Sequence, residues 1–430
     1  MSTLPDEQSE LVAPPPAEAG RTEQLLRRGR GLGTRRWLLF VAAGIVVVSL
    51  VRAATGAENL TSVGAIESAL TGAVPIALAG LAGLWSERAG VVNIGLEGMM
   101  VLGSFGCGWA GYQYGPWAGL FAGMLCGLLG GLLLAVAAVT FGVDHIVAGI
   151  AISIVAPGLT LYLSQLLFSG VPGGGFQQSP PVRDVYHITI PFLSDWLDAL
   201  NRKHWFLVSD LAGLVGGSVT QLSILTVIGA LLFGVTGFVL WRTRFGLRLR
   251  SVGEAPYAAE SLGVDVYRYK YIAVAISGAL AGFAGAFLVI GLNYQNGQTG
   301  GRGFIGLATV IFGNWRPGGL AVGALLFGYT DGVQQYDSTS AALHAFLAVI
   351  AVALVVLAVW QFRAGARGVA VTSVVIAAAA LLWFFSVETL PSALVQTAPY
   401  VITLLVMGLA SQRLRPPRAD GMIYRKGGGG

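Results

Sequence analysis

Apolar runs of about 20 residues alternate with polar segments along most of the chain. A helix of roughly 20 apolar residues is long enough to cross the hydrocarbon core of a bilayer. The runs lie at about 37–55, 66–84, 89–112, 116–140, 145–168, 222–241, 270–292, 342–362, 367–386 and 391–410, and an interrupted stretch lies at 303–330. The pattern predicts an all-α polytopic membrane protein with about ten to twelve transmembrane segments, including a broken or re-entrant pair.

The composition of the chain supports this prediction. Only 11% of its 430 residues are charged, whereas a soluble domain carries roughly 25%. The net charge of +5 does not indicate nucleic-acid binding, because the basic residues cluster between apolar runs. Membrane lipid is therefore the expected surrounding of a transmembrane domain at 37–411.

The basic residues also predict the orientation, since cytoplasmic loops are enriched in Lys and Arg. The tail at 1–36, which we expect to be disordered, the loop at 242–270 and the tail at 412–430 should lie in the cytoplasm. The polar stretch at 169–220 is then extracytoplasmic. Within it, residues 191–200 have the pattern of an amphipathic helix at the membrane interface.

The interrupted stretch at 303–330 is needed to keep this orientation consistent. Arg363 falls on the cytoplasmic side only if 303–312 and 317–330 run in opposite directions, with a turn at 314–319. Each piece is short for a full span. Broken helices at membrane depth occur where they are buried in protein or line a cavity. This stretch is therefore the strongest indication of a transport path in the sequence.

Glycine recurs at every fourth position in the run at 116–140, as Gly119, Gly123, Gly127 and Gly131. Such a ridge lets helices approach each other backbone to backbone. We interpret it as a helix-packing seam rather than a surface that lines the substrate path.

Few polar side chains occur inside the apolar runs. Asn93 and Glu97 lie four residues apart, which would place both on one helix face. A carboxylate at membrane depth is a functional candidate by default, because its burial in lipid is unfavourable. The alternative is that Glu97 is neutral or paired, with Arg88 the nearest basic residue in sequence, and only holds helices together.

The loop at 242–270 contains the pattern of a short helix. Pro256 suits a first helical turn, and Gly263 is a stop signal. Ala258 and Ala259 between charged residues would let the helix dock into a groove of another protein. A solvated basic loop would explain the arginines but not this helix.

Several enzymatic motifs are absent from the sequence. None of its three lysines follows a glycine, so a phosphate-binding Gly-Lys-Ser/Thr loop is excluded. No His-Glu-x-x-His or Gly-x-Ser-x-Gly motif and no metal-ligand pattern is found. We expect a transport subunit rather than an enzyme, whose energy comes from another subunit or an ion gradient.

Two segments resemble one family. Residues 84–99, with the core Glu87-Arg88-Ala89-Gly90-Val91-Val92-Asn93-Ile94-Gly95-Leu96-Glu97-Gly98, look like the signature of bacterial ABC-transporter permeases for nucleosides and simple sugars. These belong to the broader group of branched-chain amino-acid and ribose permeases. Residues 301–308, followed by Phe312-Gly313-Asn314-Trp315, are similar to the second hallmark of this family.

The resemblance implies a type II ABC importer permease at 37–411 in a bacterial cytoplasmic membrane. Its translocation-path candidates are Asn93, Glu97, Phe304 and Asn314. Its ATPase-coupling helix would involve Gly253, Glu254, Ala258, Ala259 and Gly263. The partners implied are a second, non-identical permease, a cytoplasmic subunit that binds ATP and Mg²⁺, and an extracytoplasmic solute-binding lipoprotein. The runs at 342–386 look like an additional helical hairpin outside the family pattern.

Nucleosides are the substrate that the first motif favours, followed by simple sugars such as ribose or galactofuranose. An ion-coupled secondary transporter would need more gating carboxylates than Glu97 alone. A membrane enzyme acting on a lipid-linked sugar would need acidic residues in an external loop, for which Asp184, Asp195 and Asp198 are thin support.

Overall fold

The computed structural model describes residues 45–56, 58–189, 191–203, 205–336, 340–363, 367–386 and 414–427. The tail predicted at 1–36 and the apolar run at 391–410 lie outside these residues. The helices are α1 (Ile45–Thr55), α2 (Val63–Arg88), α3 (Leu96–Tyr114), α4 (Pro116–Ala135), α5 (His145–Phe168), α6 (Pro191–Asn201), α7 (Val208–Gly217), α8 (Ile224–Arg242), α9 (Arg244–Glu254), α10 (Pro256–Ser261), α11 (Val266–Phe287), α12 (Arg302–Phe312), α13 (Pro317–Tyr336), α14 (Ser340–Arg363) and α15 (Arg367–Ser386).

Short elements connect some of these helices. A 3-10 helix, Glu58–Thr61, precedes α2, and a π-helical turn, Val136–Thr140, extends α4. Strands β1 (His187–Ile188) and β2 (Leu222–Ser223) pair antiparallel in a two-stranded sheet, with His187 opposite Ser223. The described chain is therefore almost entirely helical, as the apolar pattern predicts.

Five helices of the described ranges are long and apolar enough to cross a membrane: α2, α4 with its extension, α5, α8 and α11. Helices α3, α13, α14 and α15 have 19, 20, 24 and 20 residues. The hairpin predicted at 342–386 is present as α14 and α15, which pack on each other. The total of ten to twelve segments stays a prediction.

The four regularly spaced glycines of α4, Gly119, Gly123, Gly127 and Gly131, form a close helix-packing seam. A Cβ atom at Gly123 would lie 2.7 Å from the Gly103 carbonyl oxygen of α3, and one at Gly131 would lie 2.6 Å from the Val274 carbonyl oxygen of α11. Gly119 and Gly127 make equally close approaches to α3 and α11. Larger side chains occupy the opposite face of α4 and are more than half exposed: Phe121, Leu125, Leu129 and Leu133. One face therefore packs on helices, and the other suits lipid.

The two long polar segments lie at opposite ends of the bundle. Helix α7 packs on the start of α2, where Gly217 meets Val63 and Ile66, whereas Gly253 approaches Arg88 at the end of α2. We call the end formed by 89–95, 243–265, 313–316 and 414–427 the Arg-rich end. The other end, formed by 169–223, is the long-loop end. This separation agrees with the sequence prediction that 169–220 and 242–270 lie on opposite sides of the membrane, and the assignment of the Arg-rich end to the cytoplasm stays a prediction.

The interrupted stretch is a helical hairpin. Helices α12 and α13 run in opposite directions, since Gly313 meets Gly319 at the turn and Gly323 faces Thr309 further along. Helix α12 has 11 residues, or about 16 Å, which is half the thickness of a bilayer core. Beside the second half of α2, it reaches the Arg-rich end at its C terminus. The broken helix predicted from the sequence is therefore α12.

Candidate translocation and coupling sites

The N terminus of α12 is held by a carboxylate from another helix. Glu97, in the first turn of α3, accepts hydrogen bonds from Thr299 Oγ1 (2.6 Å) and Gly301 N (3.0 Å) through Oε1, and from Gly303 N (2.7 Å) through Oε2. Its side chain is 9% exposed. A helix start has unpaired amides and a partial positive charge, so a carboxylate is stabilised there. Glu97 thus caps α12 across the tertiary structure.

A second charged contact holds the same end of α12. Arg302 Nη2 lies 2.7 Å from Asp331 Oδ2 on α13, and both side chains are less than one fifth exposed. Gly72 of α2 leaves the room for this pair, because a Cβ atom there would lie 3.2 Å from Asp331 Oδ2. Charges at this depth persist when they are paired. The pair therefore ties the start of α12 to α13 and α2.

The other two path candidates of this region differ in exposure. Phe304, in the first turn of α12, is 45% exposed, so its ring is available to line a passage or meet a partner. Asn93 is fully buried and donates a hydrogen bond to Ser277 Oγ (2.9 Å). The prediction that Asn93 and Glu97 share a helix face is wrong. Gly90 has a φ of +77° and α3 starts only after Gly95, so Asn93 lies in a loop.

At its C-terminal end, α12 turns sharply at the Arg-rich end. Asn314 and Trp315 have φ values of +50° and +55°, which is unfavourable backbone geometry for side chains other than glycine. The Arg88 guanidinium donates to the Trp315 carbonyl oxygen (3.0 and 2.5 Å), and the Trp315 indole N–H donates to the Glu87 carboxylate. Arg88 therefore belongs to this turn and not to Glu97.

A short helix is present where the sequence predicts one in the loop at 242–270, and its role in coupling stays a prediction. Helix α10 starts at Pro256, and Gly263 follows it with a φ of +81°. Ala258 is exposed, whereas Ala259 is 2% exposed and packs against the bundle. The prediction that both alanines form a docking face is thus wrong for Ala259. The exposed apolar side chain is Leu262, at 84%.

Gly253 and Glu254 lie on α9, just before α10. A Cβ atom at Gly253 would overlap the Arg88 carbonyl oxygen, so glycine is required by close packing. The Glu254 Oε1 atom lies 3.9 Å from Arg88 Nη1. The loop predicted at 242–270 also ends early, since Lys270 lies on α11, is 2% exposed and donates to the Gly90 carbonyl oxygen (3.3 Å).

The segment 414–427 lies across the Arg-rich end. Its Asp420 carboxylate faces Lys270 of α11 and Glu87 and Arg88 of α2. Burial raises the pKa of Asp420 to about 7, although the positive charges of Lys270 and Arg88 and a backbone hydrogen bond act in the opposite direction. A carboxylate in this position titrates near neutral pH.

Comparison with known protein families shows to which family the chain belongs. Residues 65–356 match the family described as the permease component of branched-chain amino acid transport systems. The chain belongs to this permease family. The matched range runs from α2 into α14 and contains the capped half-helix α12, the turn at 313–316 and the short helix α10.

Individual relatives cover most of the chain. The permease is 32% identical over 371 residues to the guanosine ABC transporter permease protein NupQ of Bacillus subtilis, covering 84% of this chain and 96% of the relative. It is 32% identical over 362 residues to the nucleoside ABC transporter permease protein NupC of Lactococcus lactis (82% and 93%). A second B. subtilis guanosine permease, NupP, is 25% identical over 267 residues (59% and 69%). No solved structure matches the chain.

Sequence reasoning missed several contacts of the permease. Arg302 pairs with Asp331 of α13, and Glu87 of α2 pairs with Trp315 in the turn after α12, so no local pattern shows these contacts. Helix α9 lies within the predicted basic loop at 242–270, where the helical spacing of Phe245, Leu249 and Val252 is the sequence signal for it.

Proposed function

We propose that this permease carries nucleosides into the cell as one of two unlike membrane subunits of an ATP-driven importer. A separate cytoplasmic subunit hydrolyses ATP, and an extracytoplasmic solute-binding lipoprotein delivers the nucleoside. NupQ and NupC support the substrate class, and the presence of NupQ and NupP in one organism supports a second permease. The chain itself binds neither ATP nor Mg²⁺ in this proposal.

The observation that carries the transport role is the half-helix α12. Glu97 and the Arg302–Asp331 pair hold its start, and Arg88 and Glu87 hold its end. A half-helix fixed at both ends within a bundle is a typical element of transport sites at membrane depth. We infer that the substrate passes along the exposed side of α12, with Phe304 in contact and Glu97 as the residue that positions the helix.

The observation that carries the coupling role is the exposed end of α10. Leu262 directly follows α10 and is 84% exposed, whereas Pro256 and Ala259 of α10 are buried. An exposed apolar side chain at the tip of a fixed helix suits a groove on another protein. In the predicted orientation this groove belongs to the cytoplasmic ATP-binding subunit.

Purification of the complex through a tag on this chain tests the proposal. We expect an unlike permease, an ATP-binding subunit and a solute-binding protein to co-purify, and the last to be stabilised against heat by guanosine or adenosine. Ribose, galactofuranose and branched-chain amino acids serve as the comparison ligands. Stabilisation by a sugar and not by any nucleoside would replace the substrate class and keep the importer.

A further inference from the structure

The segment 414–427 contacts two elements that the proposed function uses but does not connect. It follows the last apolar run, forms no helix, and touches both the coupling region and the turn after α12. Nothing in the transport role described above requires this segment.

We propose that residues 414–427, here called the strap, carry a displacement of α10 to the turn at 313–316 and so to the half-helix α12. The strap residues are positioning residues, since they act on α12 through the turn. This inference rests on the proposed function, because it presupposes that an ATP-binding subunit moves α10.

One part of the strap is fixed to the coupling region. Ala419 N donates to the Gly253 carbonyl oxygen (2.9 Å), and Arg418 N donates to Glu254 Oε2 (3.3 Å). The Tyr424 ring lies 5.3 Å from the rings of both Tyr257 on α10 and Tyr267 on α11. The strap therefore follows α9 and α10 through backbone bonds and ring contacts.

Another part of the strap is fixed to the turn. Arg415 N donates to Asn314 Oδ1 at 2.8 Å. Asn314 has a positive φ, so its conformation depends on such contacts. A shift of Arg415 would therefore move the turn or release its backbone.

The chain between these two attachments is stiff. Pro416 and Pro417 separate Arg415 from Arg418, and proline fixes φ near −65°. Consecutive prolines favour an extended conformation of about 3.1 Å per residue that acts as a semi-rigid spacer. The attachments to Asn314 and Glu254 are thus joined by a short rod, which transmits a displacement that a flexible tail would absorb.

Arg88 provides a second, direct link between the same two regions. It contacts the Trp315 carbonyl oxygen and lies 3.9 Å from Glu254 Oε1. Loss of the strap should consequently reduce coupling without removing it.

The test uses the purified complex in proteoliposomes with guanosine as the probe. The variants P416G/P417G, which makes the rod flexible, and Ala419→Pro, which removes the donor to Gly253, should lower guanosine uptake per ATP hydrolysed at least fivefold. Basal ATP hydrolysis and the KM for uptake should stay within twofold. The matched control is R425G/K426G, which changes two exposed residues of the same segment and should leave the ratio unchanged. A ratio within twofold of wild type for both strap variants would overturn the proposal.

A disulfide supplies a test within one preparation, because the reduced and oxidised states of the same assembled variant are compared. In N314C/R415C, oxidation should leave uptake per ATP at half or more of the reduced value, because the two residues move together. Loss of uptake on oxidation, reversed by a reductant, would show that they separate and would refute the strap. Absence of ATP-dependent uptake by the wild-type complex would instead refute the proposed function.

Discussion

Replacement of Glu97 by Gln tests the capped half-helix with a minimal change of shape. The amide retains one acceptor oxygen, which can serve either Thr299 and Gly301 or Gly303. Its NH₂ group then faces at least one backbone N–H, that of Gly301 or that of Gly303, from which it cannot accept a hydrogen bond. One charge-assisted hydrogen bond is lost and a buried N–H is left without its partner, which together cost about 1–3 kcal/mol. Loss of the charge at the helix start adds about 0.3–1 kcal/mol.

The resulting destabilisation of the start of α12 is about 1.3–4 kcal/mol, which corresponds to an increase of roughly 10- to 1,000-fold in local opening. Hydrogen exchange of the purified chain in nanodiscs measures this directly, since amides exchange through local opening. We expect the amides of the first two turns of α12 to exchange faster by such a factor and guanosine uptake to fall. Exchange in α5 should stay unchanged.

Glu67→Gln, the same substitution on α2, is the matched control. Among the described residues, no backbone amide donates a hydrogen bond to the Glu67 carboxylate. An effect of less than threefold on the α12 amides in Glu97→Gln would refute the capping argument. Equal acceleration in both variants would show a general loosening of the bundle instead.

Three further outcomes follow from the structure. Gly127→Leu should prevent recovery of folded protein, because a side chain there overlaps the α11 backbone. Gly234→Leu should be tolerated, because no neighbouring atom lies within 4 Å of a Cβ atom at that position. Size-exclusion chromatography in detergent compares the two variants. Leu262→Asp should weaken co-purification of the ATP-binding subunit at least tenfold, while Leu292→Asp, also exposed but at the long-loop end, should not. Because the pKa of Asp420 is raised to about 7 in the attached strap, attachment binds a proton and weakens as pH rises through 7. Exchange protection of the strap, corrected for intrinsic rates, should therefore fall from pH 6 to pH 8 and become flat in Asp420→Asn; an unchanged pH dependence in that variant would exclude Asp420 as the cause.

Much of the fold could be predicted because lipid imposes simple rules on sequence. The run at 145–168 coincides with α5, and that at 367–386 with α15, since each consists of apolar residues bounded by polar ones. Asp144 caps α5 by accepting from Ile146 N and Val147 N, as a carboxylate at a helix start should. The placement of Arg363 on the cytoplasmic side predicts the turn between α12 and α13.

The candidate site could be predicted only in part, because its contacts join residues far apart in sequence. Glu97 and the start of α12 are each visible as motifs, but the bond between them spans more than 200 positions. The helix-face argument failed at Asn93 because two glycines delay the start of α3. The contacts of the strap could not be predicted, because it donates hydrogen bonds through backbone N–H groups, which every residue except proline has.

The most direct test of the account is uptake of labelled guanosine by proteoliposomes that contain the complete complex and its solute-binding protein. For complexes whose Arg-rich end faces the liposome interior, we predict that uptake requires ATP inside the liposomes. Uptake should be insensitive to protonophores and sodium ionophores. Guanosine uptake that proceeds without ATP and collapses with an ionophore would contradict the importer and favour an ion-coupled transporter.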